Sequence, residues 1–180
     1  MMMLESARLI LRPWEECDAP AIAAGLNDYA VAQWLTIPFP YTLDMALNFI
    51  QSQNKSDAEY QFAIINKATG EVIGGTTLRN INPFHGTAAG GIWLGSAHHG
   101  HGYGTEAFNA RIRFAFEQLN LRRIENGYFA GNEASRRMQL RLGYREEGMR
   151  RKSLFCPADG QYKNEYLTGL LREEWVPADK

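Results

Sequence analysis

His99-Gly100-His101-Gly102-Tyr103-Gly104-Thr105 decides the reading of this chain, because it stands between a strand-like run and a helix-like run. Glycines at alternate positions let the backbone turn tightly and come close to a ligand. A helix starting where they end turns its unpaired N–H groups and its positive dipole end into that turn. The arrangement predicts a cradle for phosphate. On its C-terminal side, Phe108, Ile112, Ala115 and Leu119 follow the i, i+4, i+7, i+11 spacing of a buried helix face, so 102–119 reads as a helix. On its N-terminal side, 88–94 is small and apolar and reads as a central strand.

Working outward, 8–12 stops at Pro13 and reads as a first strand. Residues 15–26 carry Ala19, Ile22 and Ala23 at helical spacing, and 29–35 reads as a second short helix ended by Pro38 and Pro40. Thr42 can cap a third, with Ala46, Phe49 and Ile50 on one face. Residues 60–65 and 71–78 read as a hairpin about Lys67-Ala68-Thr69-Gly70, and 80–86 as a loop. Then come a strand at 123–129 and a helix at 132–142 closed by Gly143. A terminal hairpin follows, 144–154 and 162–171 about Pro157-Ala158-Asp159-Gly160. The order predicts a mixed α/β (α+β) domain spanning 1–180, with a central sheet flanked by helices.

Bulk composition narrows the function. A chain of 180 residues, 45% hydrophobic and 22% charged, is an ordinary globular domain. A net charge of −1 argues against nucleic-acid binding by bulk electrostatics. Cys17 and Cys156 are isolated and read as free thiols of a reducing compartment. No apolar run reaches the ~20 residues of a membrane span, and Met1-Met2-Met3 leads into polar residues instead of a signal sequence. A soluble, cytoplasmic protein with no membrane or nucleic-acid partner is expected.

Three other readings of the loop compete with the phosphate cradle. Gly102-Tyr103-Gly104-Thr105-Glu106-Ala107 fits the dinucleotide pattern G-x-G-x-x-[GA], and Glu125 falls about 20 residues on, where that pattern wants an acid. Against it, the chain ends in a strand pair instead of continuing as βαβ units. A P-loop lacks its Gly-Lys-Ser/Thr. Alone, the glycines could simply make a tight turn. His98, His99 and His101 have glycine neighbours instead of carboxylates or thiolates, so no metal is expected.

What surrounds the loop resembles the GNAT acetyltransferase superfamily, in particular its RimJ/RimL-type branch of protein and small-amine N-acetyltransferases. Leu4-Glu5-Ser6-Ala7-Arg8-Leu9-Ile10-Leu11-Arg12 looks like that branch's opening strand, and Gly91-Ile92-Trp93-Leu94-Gly95 like its central strand. The glycine loop is similar to the acetyl-CoA signature. Asn132-Glu133-Ala134-Ser135-Arg136-Arg137-Met138 with Leu142-Gly143-Tyr144 resembles its N-x-x-S helix, and Leu170-Leu171-Arg172-Glu173-Glu174-Trp175 its closing segment. The resemblance implies a single GNAT domain with a mostly antiparallel mixed sheet. It implies acetyl-CoA as the acetyl donor and a primary amine as acceptor, by direct attack. The acceptor would be a protein N-terminus of ribosomal type, or a small amine such as an amino acid, polyamine or drug. A homodimer is compatible with it.

Residue by residue, the resemblance implies that Gly102, Tyr103, Gly104 and Thr105 bind the pyrophosphate, with His99 and Gly100 opening the signature. Trp93 and Leu94 would pair with the pantetheine arm. Asn132 and Ser135 would contact the cofactor, although capping the helix at 132–142 explains both equally well. The chain departs from the family where proton transfer is usually handled. Gln139 stands at the position of a common Tyr acid, Ala89 at that of a common Glu, and Asn164 at that of a common Asp. An amide cannot serve as an acid. Ser135 and Glu165 are left as the catalytic candidates, with His85 as a further proton carrier. Of the basic pairs, Arg122-Arg123 could meet a CoA phosphate, and Trp34, Phe39 and Tyr41 could line an acceptor pocket or simply pack. Ala89 and Gln139 also keep a non-catalytic CoA-binding module open as the alternative.

Overall fold

The computed structural model describes residues 2–53 and 58–177. One eight-stranded sheet runs in the order β1-β2-β3-β4-β5-β6-β8-β7. Its strands are β1 (Leu4–Glu5), β2 (Leu9–Arg12), β3 (Tyr60–Asn66), β4 (Val72–Asn82), β5 (Thr87–Leu94), β6 (Arg123–Phe129), β7 (Arg145–Cys156) and β8 (Gln161–Leu171). Every pairing is antiparallel except β5 with β6, which are parallel. That exception follows from the crossover: α4 (Tyr103–Arg113) lies between them and returns the chain to the same edge.

Period-two patterning places a core on each face. Leu9, Leu11, Phe62 and Ile64 pack with Phe108, Ile112 and Phe114 of the α4 side. Ala63 and Ile65, one residue out of step, face the helices α1 (Ala19–Leu26) and α3 (Leu43–Ser52) with Trp14 and Ile22. The remaining α-helices are α2 (Tyr29–Ala32) and α5 (Glu133–Arg141). Among the described residues, no helix is long and apolar enough to cross a membrane.

Boundaries differ from expectation where packing outweighs local pattern. The helix expected at 102–119 is α-helical only to Arg113 and then widens into a π turn, Phe114–Gln118, with Leu119 N donating to Phe114 O at 3.1 Å. The widened turn buries the consecutive residues Phe114, Ala115 and Phe116, which one face of an α-helix would not do. The expected loop at 80–86 is shorter, because β4 runs on to Asn82 through a register shift in which Asn80 takes φ 53°. The helix expected at 15–26 is a 3₁₀ turn, Glu16–Asp18, before α1, and α2 ends three residues short of Leu35.

Candidate functional site

β5 and β6 pair only where they begin. Thr87, Ala88 and Ala89 oppose Arg123, Ile124 and Glu125, and the ladder stops there. Beyond it, residues 90–94 and 126–129 form two walls of a cavity of about 570 Å³. Asn126 holds the apex. With its amide oriented to satisfy both neighbours, its nitrogen donates to Gly90 O at 2.6 Å and its oxygen accepts from the Tyr144 hydroxyl at 2.9 Å. A side chain thus bridges the strands where the main-chain ladder gives out.

Main-chain direction along β5 decides what the cavity sees. Gly95 N donates to Ile73 O on the β4 side at 3.0 Å, and the Trp93 carbonyl crowds Gly74 of β4. Alternation therefore turns Gly90, Ile92 and Leu94 toward the opening. His99 Nε2 lies 2.9 Å from Leu94 O; a carbonyl only accepts, so Nε2 carries the hydrogen. That leaves the N–H groups of Ile92 and Leu94, and the Ile92 carbonyl, directed into the gap. Trp93 lines the cavity but turns its main-chain groups to β4, so, against expectation, it has none to offer an added arm; its indole stacks on Trp14 at 6.3 Å between centroids.

The glycine loop closes one end of the cavity. Gly100 and Gly102 have φ of 77° and 80°, which glycine adopts at little cost. Gly102 is the N-cap of α4 and offers no side-chain cap, and the first internal bond is Glu106 N to Gly102 O at 3.1 Å. The N–H groups of Tyr103, Gly104 and Thr105 are consequently free of helix partners. The helix start is pinned from behind: Glu106 accepts from Arg8 N, Arg8 Nε and the Ser6 hydroxyl, each at 2.7 Å. Arg8 also donates to His101 O at 3.0 Å and lies over the Tyr103 ring. Burial alone would raise the Glu106 carboxyl, but these donors hold it below its usual range. A Cβ on Gly104 would stand 3.3 Å from Met138 Sδ and 3.4 Å from Leu94 Cδ1, so this glycine lets α4, α5 and β5 converge.

α5 forms the third wall. Asn132 caps it, its Oδ1 accepting from Ser135 N at 3.1 Å. Ser135 and Gln139, one turn apart, both line the cavity, and the Gln139 amide nitrogen is 3.0 Å from Ser135 Oγ. Arg137 and Arg141 line it as well, joined by Arg79 of β4. Glu165 on β8 also lines the cavity, paired with Phe129 in the ladder, its side chain 16% exposed and 3.7 Å from Arg150. Trp34 lines the cavity too, and Lys163, ion-paired with Asp159, lies 5.2 Å from the Trp34 ring. Tyr128 also borders the cavity, but burial and its hydrogen bond to Glu146 push it up to about 12, so it keeps its proton.

The residues expected at the site thus gather: Trp93, Leu94, His99, Gly100, Gly102, Tyr103, Gly104, Thr105, Asn132, Ser135 and Glu165 all border one cavity. Others fall elsewhere. His85 sits on the β4–β5 turn, at the end of β5 away from the opening, against Phe84. Arg122 donates to His85 O, and Arg123 is held by Glu147 and Glu125, also at that end. Asn164 Oδ1 accepts from Lys152 N. Of the aromatic trio, Trp34 lines the cavity and Tyr41 is buried in the core, 8% exposed. Sequence reasoning passed over Ile92, Asn126, Arg79, Arg137 and Arg141. The i, i+4 spacing of Arg137 and Arg141 could have flagged the last two.

Comparison with known proteins bears on the family and the fold. The family model of the acetyltransferase (GNAT) domain matches residues 8–145. An uncharacterized N-acetyltransferase p20 of Bacillus licheniformis is 34% identical over 180 residues, covering 98% of this chain and 99% of the relative. A [ribosomal protein uS5]-alanine N-acetyltransferase of Escherichia coli (strain K12) is 26% identical over 183 residues, covering 97% and 93%. The crystal structure of spermidine N-acetyltransferase from Vibrio cholerae with CoA and spermine is similar in fold, with a TM-score of 0.83 at 23% identity over 94% of this chain and 98% of that one.

Proposed function

The chain belongs to the GNAT acetyltransferase family, and on that premise we propose that it transfers the acetyl group of acetyl-CoA to the α-amine of a protein N-terminus. When bound, acetyl-CoA supplies an acetyl group activated as a thioester. The observation that carries the reading is the parting of β5 from β6 past Ala89 and Glu125, which opens a cavity lined by both the start of α4, with its free N–H groups, and the Glu165 carboxylate.

The residues present fit the donor. The N–H groups of Tyr103, Gly104 and Thr105 suit its diphosphate, and Arg137 and Arg141 add cationic charge to the same cavity. The cradle is open because Gly100 and Gly102 carry no side chain. Ile92 and Leu94 offer main-chain groups to an extended arm, as an added strand would be held. Asn132 supports the site by fixing the first turn of α5.

Charge favours an acceptor with a single amine. The charged residues of the wall, histidines aside, are Arg79, Arg137, Arg141 and Glu165. One carboxylate in the wall suits one ammonium better than the several of a polyamine. The relative that acts on ribosomal protein uS5 alanine points the same way. Glu165 would hold the incoming ammonium and accept its proton, and Ser135 would donate to the departing sulfur. An α-amine, with a pKa near ~8, is already partly neutral and asks little of its base. The free thiols of Cys17 and Cys156 support a reducing, cytoplasmic setting.

The test is thiol release from acetyl-CoA with peptides bearing an N-terminal alanine, against spermidine and free amino acids. Turnover on peptides with spermidine inert is expected. Turnover on spermidine and none on peptides would overturn the acceptor.

A further inference from the structure

Gln139 stands 2% exposed in the wall of α5, and its amide is held at both ends. Its oxygen accepts from the buried Thr168 hydroxyl at 2.5 Å. Its nitrogen lies 3.0 Å from Ser135 Oγ and 3.4 Å from Gly127 O. The Gly127 carbonyl can only accept, which fixes the nitrogen on that side. The Gln139–Ser135 bond therefore has one direction: the amide donates and the serine oxygen accepts. Ser135's own hydrogen must point elsewhere, and among the described residues it meets no acceptor. The serine backbone is fixed independently by the Asn132 cap, and the side chain borders the cavity.

We propose that Gln139 is a positioning residue that commits the Ser135 hydroxyl to donating into the cavity, at the sulfur of the bound CoA. This rests on the proposed role of Ser135. The amide occupies one side of Oγ and excludes the hydroxyl hydrogen from it, and with no acceptor for that hydrogen among the described residues, the open direction left is the cavity. Thr168 and the Gly127 carbonyl hold the amide in place from β8 and β6. Ser135 keeps its proton throughout, so the proposal adds a hydrogen bond to an anion and no bond-making step. It also gives the amide at position 139 a use that needs no acid there.

A hydrogen bond to sulfur stabilises the thiolate over the thiol, so it must lower the thiol pKa of bound CoA, which can be read without turnover. The test titrates CoA bound to the full-length protein by the ultraviolet absorbance of its thiolate, for wild type, Gln139→Met, Ser135→Ala and the double variant. Free thiols titrate near ~8.5. Bound to wild type, CoA is expected to titrate about one unit lower. Each single variant should return it most of the way, and the double variant should go no further, because both remove the same bond. CoA lacking the thiol should bind wild type and Gln139→Met alike. If Ser135→Ala raises the bound pKa and Gln139→Met does not, Gln139 does not position the serine, while the Ser135 reading stands. If neither variant moves it, the Ser135 reading itself falls. Should Gln139→Met fail to fold, Thr168→Val frees the amide at its other end and is expected to shift the titration the same way by a smaller amount; an unchanged titration overturns the proposal.

Discussion

A Cβ on Gly90 would run into the guanidinium of Arg111, so the glycine of β5 and the arginine of α4 occupy one space between them. Arg111 is completely buried, lies 3.8 Å from the Phe108 ring centroid, and donates to Thr77 O at 2.9 Å and Gly91 O at 3.0 Å. Burial pushes its pKa down, and its Nε has no partner among the described residues. Gly91 O also accepts from the Thr76 hydroxyl, so removing the arginine does not orphan it. Arg111→Met is therefore expected to leave the fold intact and to change stability by less than ~1.5 kcal/mol, in either direction. Gly90→Ala should cost more, ~2–3 kcal/mol. In the double variant part of that cost should return, but not all, since the added methyl still meets Thr77 O at 2.6 Å. Urea unfolding of the four proteins measures the coupling, and strict additivity would show that the two sites are independent.

Glu106 ties the start of α4 to the β1–β2 turn, and its ionisation should be visible in acid. Its carboxyl is held below its reference value of 4.5 against the opposing effect of burial. A carboxyl with a depressed folded pKa stabilises above its unfolded pKa, and that contribution is lost as pH falls through the folded value. Arg8 is half exposed, so the ion pair itself is screened, and the bonds from Arg8 N and the Ser6 hydroxyl carry more of the effect. Glu106→Gln is expected to cost ~1–2 kcal/mol at pH 7. The gap to wild type should narrow in acid, below the reference value of 4.5, as wild type loses its own carboxylate. Thermal melts at several pH values check this, and a gap that widens in acid would contradict it.

Much of this architecture was readable before any coordinates. The glycine turn before α4, the strand 123–129 and the cap–stop pair Asn132 and Gly143 depend on local chemistry, φ > 0 glycines and side-chain caps, which a sequence carries directly. The π turn at Phe114 was not readable, because it answers to a core assembled from β3 and α4 together. Nor was the role of position 126, since the Asn126–Gly90 bridge exists only once two parallel strands meet and part. Ile92 was missed for a similar reason: which main-chain groups face the cavity is set by the register of β4 with β5. The isolation of His85 and Arg122 from the site follows from their place at the far end of the same strands, a distance that spacing along the chain does not reveal.

The glycine loop separates geometry from charge. Gly102 sits at φ 80° with Arg8 3.4 Å from its would-be Cβ, and its amide end faces the cavity. Gly102→Asp brings strain, bulk and a negative charge to a site suited to anions, and is expected to abolish acetyl-CoA binding by calorimetry. His99→Ala removes only the bond to Leu94 O and a partial charge, and should weaken binding modestly, ~3–10-fold. Unchanged affinity in Gly102→Asp would mean that the donor does not lie on this helix.

Glu165 tests the acceptor end. Its contacts within the protein are weak, Ser153 Oγ at 3.4 Å and Arg150 at 3.7 Å, so Glu165→Gln should alter stability by no more than ~0.5 kcal/mol. Glutamine is isosteric and keeps the shape of the wall, so acetyl-CoA affinity should stay close to that of wild type. What it removes is the carboxylate that would hold the ammonium and take its proton. The expected result is a drop in kcat of ~10²-fold near pH 7, within the range general-base groups contribute. The loss should shrink as pH rises past ~8, where the acceptor α-amine is neutral without help. A kcat reduced equally at all pH values would assign Glu165 to orienting the acceptor instead of deprotonating it. An unchanged kcat with a raised acetyl-CoA Kd would move Glu165 out of the acceptor site altogether.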